Sequence, residues 1–161
     1  MKKAAIIMGS KNDLPKLTGA IDTFKKFDVP YEVHVFSAHR TPQAAAAFSK
    51  NARQDGFGVL IAAAGKAAHL AGAIAANTTL PVIGIPVDAS GLGGLDALLS
   101  TVQMPSGIPV ACVGIDSSTN AALLACEILS VSDWDLAQKL VEKRNADSAA
   151  VLEADKEISS M

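Results

Sequence analysis

Ser37-Ala38-His39-Arg40-Thr41-Pro42 offers a hydroxyl, an imidazole and a guanidinium within four residues. An imidazole titrates near neutrality and can move a proton, while a guanidinium holds a phosphate or carboxylate in a fixed planar fork. The stretch follows an apolar run, Tyr31 to Phe36, and precedes a helical one from Pro42 to about Gln54, with Thr41 as cap and Pro42 in the first turn. That makes it a strand-to-helix turn, and in open α/β sheets such turns lie at the carboxyl edge, where ligands bind. Two more turns of the same kind are present: Ser10 to Asp13 after the apolar run Ala4 to Met8, and Ala64 to His69 at the end of Val59 to Ala64. Together they supply small backbone-exposing residues, the polar side chains of Ser10, Asn12 and Ser37, the Asp13 carboxylate, the Arg40 guanidinium, and the imidazoles of His39 and His69. A phosphate suits the Ser10 and Asn12 turn, gripped by Arg40, while Asp13 accepts from sugar hydroxyls. The combination is a ribose-phosphate site with a proton-transfer imidazole beside it. The plainer alternative is that Ser37 and Thr41 only cap, and that His39 and Arg40 are ordinary loop polars.

The elements that must position these turns are legible from spacing. Ala4 to Met8, Tyr31 to Phe36, Val59 to Ala64, Val82 to Val87 and Pro109 to Gly114 read as strands, with Tyr31, Val33 and Val35 on one face. Leu14, Leu17, Ile21, Phe24 and Phe27 recur at helical spacing, with Asp13 as N-cap and Pro15 in the first turn. Further helices follow from His69 to about Asn77, Leu95 to about Gln103, and Asn120 to Leu129, the last nearly all apolar and expected to be buried. Asp88 to Gly94 reads as a mobile lid. From Asp133 a long terminal helix carries an apolar stripe (Trp134, Leu136, Leu140) that charges break near Lys143 and Arg144 and that resumes at Val151, Ala154 and Ile158. Such a helix packs on a neighbour. Strands alternating with helices imply a three-layer, doubly wound parallel α/β sheet, one domain over residues 1–161, with a C-terminal helical extension from about residue 130.

Composition narrows the function. The chain has 161 residues, only 4% of them aromatic, so its core is built from Ala, Val, Ile and Leu. A net charge of -2 with scattered Lys and Arg gives no footprint for nucleic acid or an anionic membrane. No apolar run reaches the length of a membrane span, and Ala4 to Met8 is too short for a signal peptide. Cys112 and Cys126 form no CxxC pair and read as buried free thiols in a reducing cytoplasm. Gly65-Lys66 fails as a Walker loop because no Gly stands five residues earlier and Ala67 is not Ser or Thr. Gly91-Leu92-Gly93-Gly94 fails as a dinucleotide loop, since Asp96 occupies the third glycine position. His34, His39 and His69 are too dispersed for a metal site, and His34 reads as a strand residue on the polar side with no role.

Met8-Gly9-Ser10-Lys11-Asn12-Asp13, Tyr31-Glu32-Val33, Ser37 to Pro42, Gly65-Lys66-Ala67-Ala68-His69-Leu70, Leu80 to Pro86 and Val102 to Pro109 occur in one order. In these motifs the chain, from about residue 4 to residue 129, resembles the class I family of N5-carboxyaminoimidazole ribonucleotide mutases of purine biosynthesis. The resemblance implies a flavodoxin-like fold and a nucleotide substrate whose carboxyl group moves from the exocyclic nitrogen to ring carbon 4. It implies no metal, ATP or organic cofactor, and a homo-octamer. It assigns the ribose phosphate to Ser10, Asp13 and Arg40, general acid/base work to His39, and a carboxylate pocket to the turn holding Ala64, Gly65, Lys66 and His69. Some positions depart from it: Asn12 stands where Ser is frequent, Ala63 and Lys66 where Gly is frequent, and Ala71 and Ala73 replace Pro and Met. Lys66 puts a cation beside the carboxylate pocket, although a lysine head there is expected to reach solvent. The alternatives are the related class II carboxylase, which takes carbon dioxide directly, and a non-catalytic nucleotide-binding module.

Overall fold

Side chains on successive strand residues point to opposite faces, so an uninterrupted apolar strand needs cover on both sides. The computed structural model, which describes residues 1–161, provides that cover. Strands β1 (Lys3–Met8), β2 (Tyr31–Val35), β3 (Phe57–Gly65), β4 (Val82–Val87) and β5 (Ala111–Cys112) form one sheet in the order β2-β1-β3-β4-β5. Every pairing is parallel, with Ile6 beside Val33 and Ile61, and Ala63 beside Ile85. The helices are α1 (Thr18–Lys26), α2 (Pro42–Asn51), α3 (Leu70–Ala75), α4 (Leu95–Val102), α5 (Ser118–Ser130) and α6 (Trp134–Ser159).

One face of the sheet presents Ile6, Met8, Val59, Ile61, Ile83 and Ile85 to Phe24 of α1 and to Ala121, Ala125 and Cys126 of α5. The other presents Ala5, Ile7, Leu60 and Ala62 to Leu70 and Ile74 of α3. Fully burying each large aliphatic side chain contributes about 1.5–3 kcal/mol, and alanine on the helices lets them approach closely enough to do it. The doubly wound three-layer reading holds, and β1 does lie between β2 and β3. No helix is long and apolar enough to cross a membrane.

Several local expectations are corrected. The segment after β1 is a 3-10 helix, Lys11–Leu17, with Pro15 inside it, and α1 begins only at Thr18. Its cap is Ser10, whose hydroxyl accepts from the Asn12 N–H, not Asp13. The fifth strand shrinks from Pro109–Gly114 to two residues. Of the β2 face, Tyr31 packs on Phe24, but Val33 and Val35 stay exposed because β2 is an edge strand. His34 is not on a polar side: its ring lies 5.5 Å from that of Phe36 and 4.6 Å from that of Phe48, and Nε2 sits 3.1 Å from Glu32 Oε2. Cys126 is buried, which pushes its thiol up to about 12, whereas Cys112 is only half-buried.

The terminal helix α6 runs unbroken for 26 residues, about 39 Å. Asp133 caps it by accepting from the Leu136 N–H. Leu136 and Leu140 join the core, and Lys139 to Asp28 (2.7 Å) and Arg144 to Glu127 (2.5 Å) tie its first half to the body. Beyond, Val151, Leu152 and Ile158 are exposed.

Candidate active site

Parallel strands all end at the same edge, and the turns after β1, β2 and β3 meet there in a cleft of about 600 Å³. Every residue singled out from the sequence lines it: Ser10, Asn12 and Asp13 from the first turn, Ser37, His39 and Arg40 from the second, and Ala64, Gly65, Lys66 and His69 from the third. Ala89, on the loop after β4, lines it too. Its signal was the strand-end position after Val87, which the plain alanine side chain concealed.

The second turn is built by its own hydroxyls. Ser37 Oγ accepts from the backbone N–H groups of His39 (3.3 Å) and Arg40 (3.1 Å). Thr41 Oγ1 accepts from the Ser37 N–H and donates to the Ser37 carbonyl, and makes no cap bond to α2. Both hydroxyls therefore serve the backbone of the turn that carries His39 and Arg40, and Thr41 does not cap α2 as expected. The Arg40 guanidinium donates to the Gly9 carbonyl at 3.1 Å, which holds it across the first turn.

His39 and His69, thirty residues apart in sequence, meet at 2.7 Å between Nε2 and Nδ1, with the rings edge-on. One nitrogen must donate and the other accept, so the pair shares a single proton along that line. Burial raises the Asp13 carboxyl above its ordinary range, against a Ser10 backbone hydrogen bond and the Lys16 ammonium, which pull it down. Lys16 itself bridges the Asp88 carbonyl and Asp116 Oδ2, the latter at 2.7 Å. The Asp88 N–H donates to Asp116 Oδ1, and the Ser90 hydroxyl to Asp96 on α4, so the first half of the loop read as a lid is tied down.

Gly65 is needed for a close approach: a Cβ there would lie 2.6 Å from the Ala89 Cβ and 2.9 Å from the Val87 carbonyl oxygen. Lys66 follows with φ +57°, in the left-handed region. Its side chain is exposed and has no ion-pair partner.

A larger cavity, about 970 Å³, lies at the opposite edge of the sheet. Its cations are Lys50 and Arg53. Lys50 occupies the last turn of α2, where a positive charge complements the helix dipole, and Arg53 donates to Thr79 Oγ1. The end of α3 also opens there, adding negative potential. The smaller cleft holds both imidazoles, His39 and His69, beside the Arg40 guanidinium.

Residues 3–150 match the family model described as AIR carboxylase. A Methanocaldococcus jannaschii protein named N5-carboxyaminoimidazole ribonucleotide mutase is 52% identical over 156 residues, 97% of each chain. A Bacillus subtilis protein of the same name is 51% identical over 92% of this chain and 93% of its own. The crystal structure of Treponema denticola PurE, 28% identical, superposes with a TM-score of 0.87 over 96% of both chains. On the residues that fill the cleft and on this coverage, the chain belongs to the AIR carboxylase family.

Proposed function

We propose that the chain is an N5-carboxyaminoimidazole ribonucleotide mutase, acting in purine biosynthesis by decarboxylation and recarboxylation. The observation that carries this reading is the His39–His69 hydrogen bond inside a cleft that also holds Arg40 and the Ser10–Asp13 turn. Relatives of that name at 51–52% identity support it.

The chemistry balances with one proton in circulation. The nitrogen–carbon bond of the carbamate breaks, its electron pair stays on nitrogen, and nitrogen takes a proton as carbon dioxide leaves. Ring carbon 4 is nucleophilic because aminoimidazole behaves as an enamine. It attacks carbon dioxide, and its hydrogen leaves as a proton. His39 is the general acid/base in this reading. In the tautomer with His39 Nε2–H donating to His69 Nδ1, the His39 Nδ1 lone pair is left to collect the carbon 4 proton. Arg40, Ser10, Asn12 and Asp13 hold the ribose phosphate, with Ser37 shaping their turn. Ala64, Gly65 and Ala67 give small, close walls around the released gas. Recapture within a closed pocket replaces a bimolecular encounter by an intramolecular one, worth several kcal/mol.

The same proposal takes the chain as a cytoplasmic enzyme and a homo-oligomer, an octamer by the resemblance. The exposed apolar residues on the outer half of α6 support an assembly in which that helix rests on a neighbour.

Carbon-13 in the carbamate carboxyl tests the reaction. In excess unlabelled bicarbonate, nuclear magnetic resonance should follow the label from nitrogen to ring carbon 4 with retention. Product formed from decarboxylated nucleotide and unlabelled bicarbonate, with no transfer from the carbamate, would instead identify a direct carboxylase. Binding without conversion would leave a nucleotide-binding module.

A further inference from the structure

Lys66 lies in the cleft with a left-handed backbone, a conformation that residues carrying a Cβ rarely adopt. Hydrogen bonds within the chain do not account for it. Lys66, like Lys2, Lys11, Lys25, Lys26 and Lys50, meets no acceptor of this chain, and of these lysines it alone lines the cleft.

Charge in the cleft is lopsided in the same place. Asp13 is its only carboxylate, and burial disfavours its charge; the cations are Arg40 and Lys66. The substrate proposed above carries a phosphate and, at the other end of a rigid ring, a carboxylate. Arg40 stands on the turn next to Ser10 and Asn12 and takes the phosphate. The carboxylate end, beside the imidazole pair, has Lys66 as its one remaining counter-charge, three residues before His69 on the same turn.

We infer that Lys66 is the recognition residue for the substrate's carboxylate, and that it makes this site discriminate carboxylated from decarboxylated nucleotide. The inference rests on the function proposed above. Its consequence follows from the charge change in the reaction. The carboxylate becomes neutral carbon dioxide and then a carboxylate again, so an ammonium at that point favours the two carboxylated nucleotides over the intermediate between them. It draws the intermediate back toward product instead of escape, without taking part in proton transfer.

Calorimetry on the intact protein tests this with the stable carboxylated product and with decarboxylated aminoimidazole ribonucleotide as ligands. Lys66→Gly relaxes the turn and removes the charge; Lys66→Met removes only the charge. Both variants should bind the carboxylated ligand about three- to tenfold more weakly, the range for a partly solvated charge-assisted hydrogen bond. Both should keep the decarboxylated ligand within about twofold, and that difference should shrink in high salt. Unchanged selectivity in both variants overturns the inference, and so does a change confined to Lys66→Gly, which would make it a backbone effect. Failure of the function itself is distinguishable, because the parent protein would then transfer no carbon-13 label.

Discussion

At the carboxyl edge of the sheet, burial pushes the Asp13 carboxyl above its ordinary range, whereas Lys3 holds the Glu32 carboxyl on β2 below its own. Lys3 reaches Glu32 at 2.5 Å, lies over the Phe57 ring, and Glu32 also meets His34, which stacks on Phe36 and packs against Phe48. Charges there are arranged to satisfy one another. At the carboxyl edge they are arranged toward an open cleft: Lys66 meets no acceptor, Asp13 is disfavoured as an anion, and two imidazoles share one proton. A folded chain tolerates such unsettled groups where something else completes them, so the contrast marks which end of the sheet works and which end holds.

The contrast breaks most visibly at His39. His39→Asn should lower turnover by a factor of about a hundred to ten thousand, the usual cost of removing a proton shuttle. His39 is exposed, so its melting temperature should stay within about one degree of the parent. Near-parent turnover in the folded variant would remove His39 from the mechanism.

Arg40→Lys is the next largest. An ammonium keeps the charge but loses the two-pronged geometry, so nucleotide affinity should fall by about tenfold, while stability barely moves because only the bond to the Gly9 carbonyl is disturbed. Titration calorimetry showing an unchanged dissociation constant would mean that the phosphate lies elsewhere.

How much of this was legible in the sequence follows the same division. Turns at strand ends could be located because strands announce themselves by apolar runs, and adjacency of β1, β2 and β3 then brings Ser10, His39 and His69 to one edge. Pairing of the two imidazoles could not be read, since a 2.7 Å contact across thirty residues depends on how far each turn leans over β1. The left-handed Lys66 was equally hidden, because only Gly or Asn signals that conformation by its identity. Pro15 did carry information that went the other way: it sits inside a 3-10 helix, so apolar residues at helical spacing begin one turn before the α-helix does. Between Lys143 and Val151 the stripe on α6 lapses although the helix does not, because a helix can continue on propensity and ion pairs where it buries nothing against its own chain.

The smallest expected effect is on stability, where the Asp13 and Glu32 carboxylates should respond to pH with opposite sign. Asp13 has its proton affinity raised by folding, so its contribution to stability is fully present in acid and is lost as pH rises through its folded value. Glu32 has it lowered, so its contribution is present at neutral pH and is lost as pH falls through its folded value. Asp13→Asn should therefore melt at or slightly above the parent at neutral pH, with the difference vanishing in acid, while its nucleotide affinity drops. Glu32→Gln should melt slightly below the parent at neutral pH, by no more than about 0.5 kcal/mol since the pair is well solvated, and converge with it in acid as the pH falls through the folded value of Glu32. Its turnover should match the parent, because nothing in the cleft touches it. Urea melts across that range, with affinity and turnover measured beside them, decide the matter. If Asp13→Asn is the variant that loses stability at neutral pH, Asp13 is a structural carboxylate like Glu32, and the distinction between the two ends of the sheet does not hold.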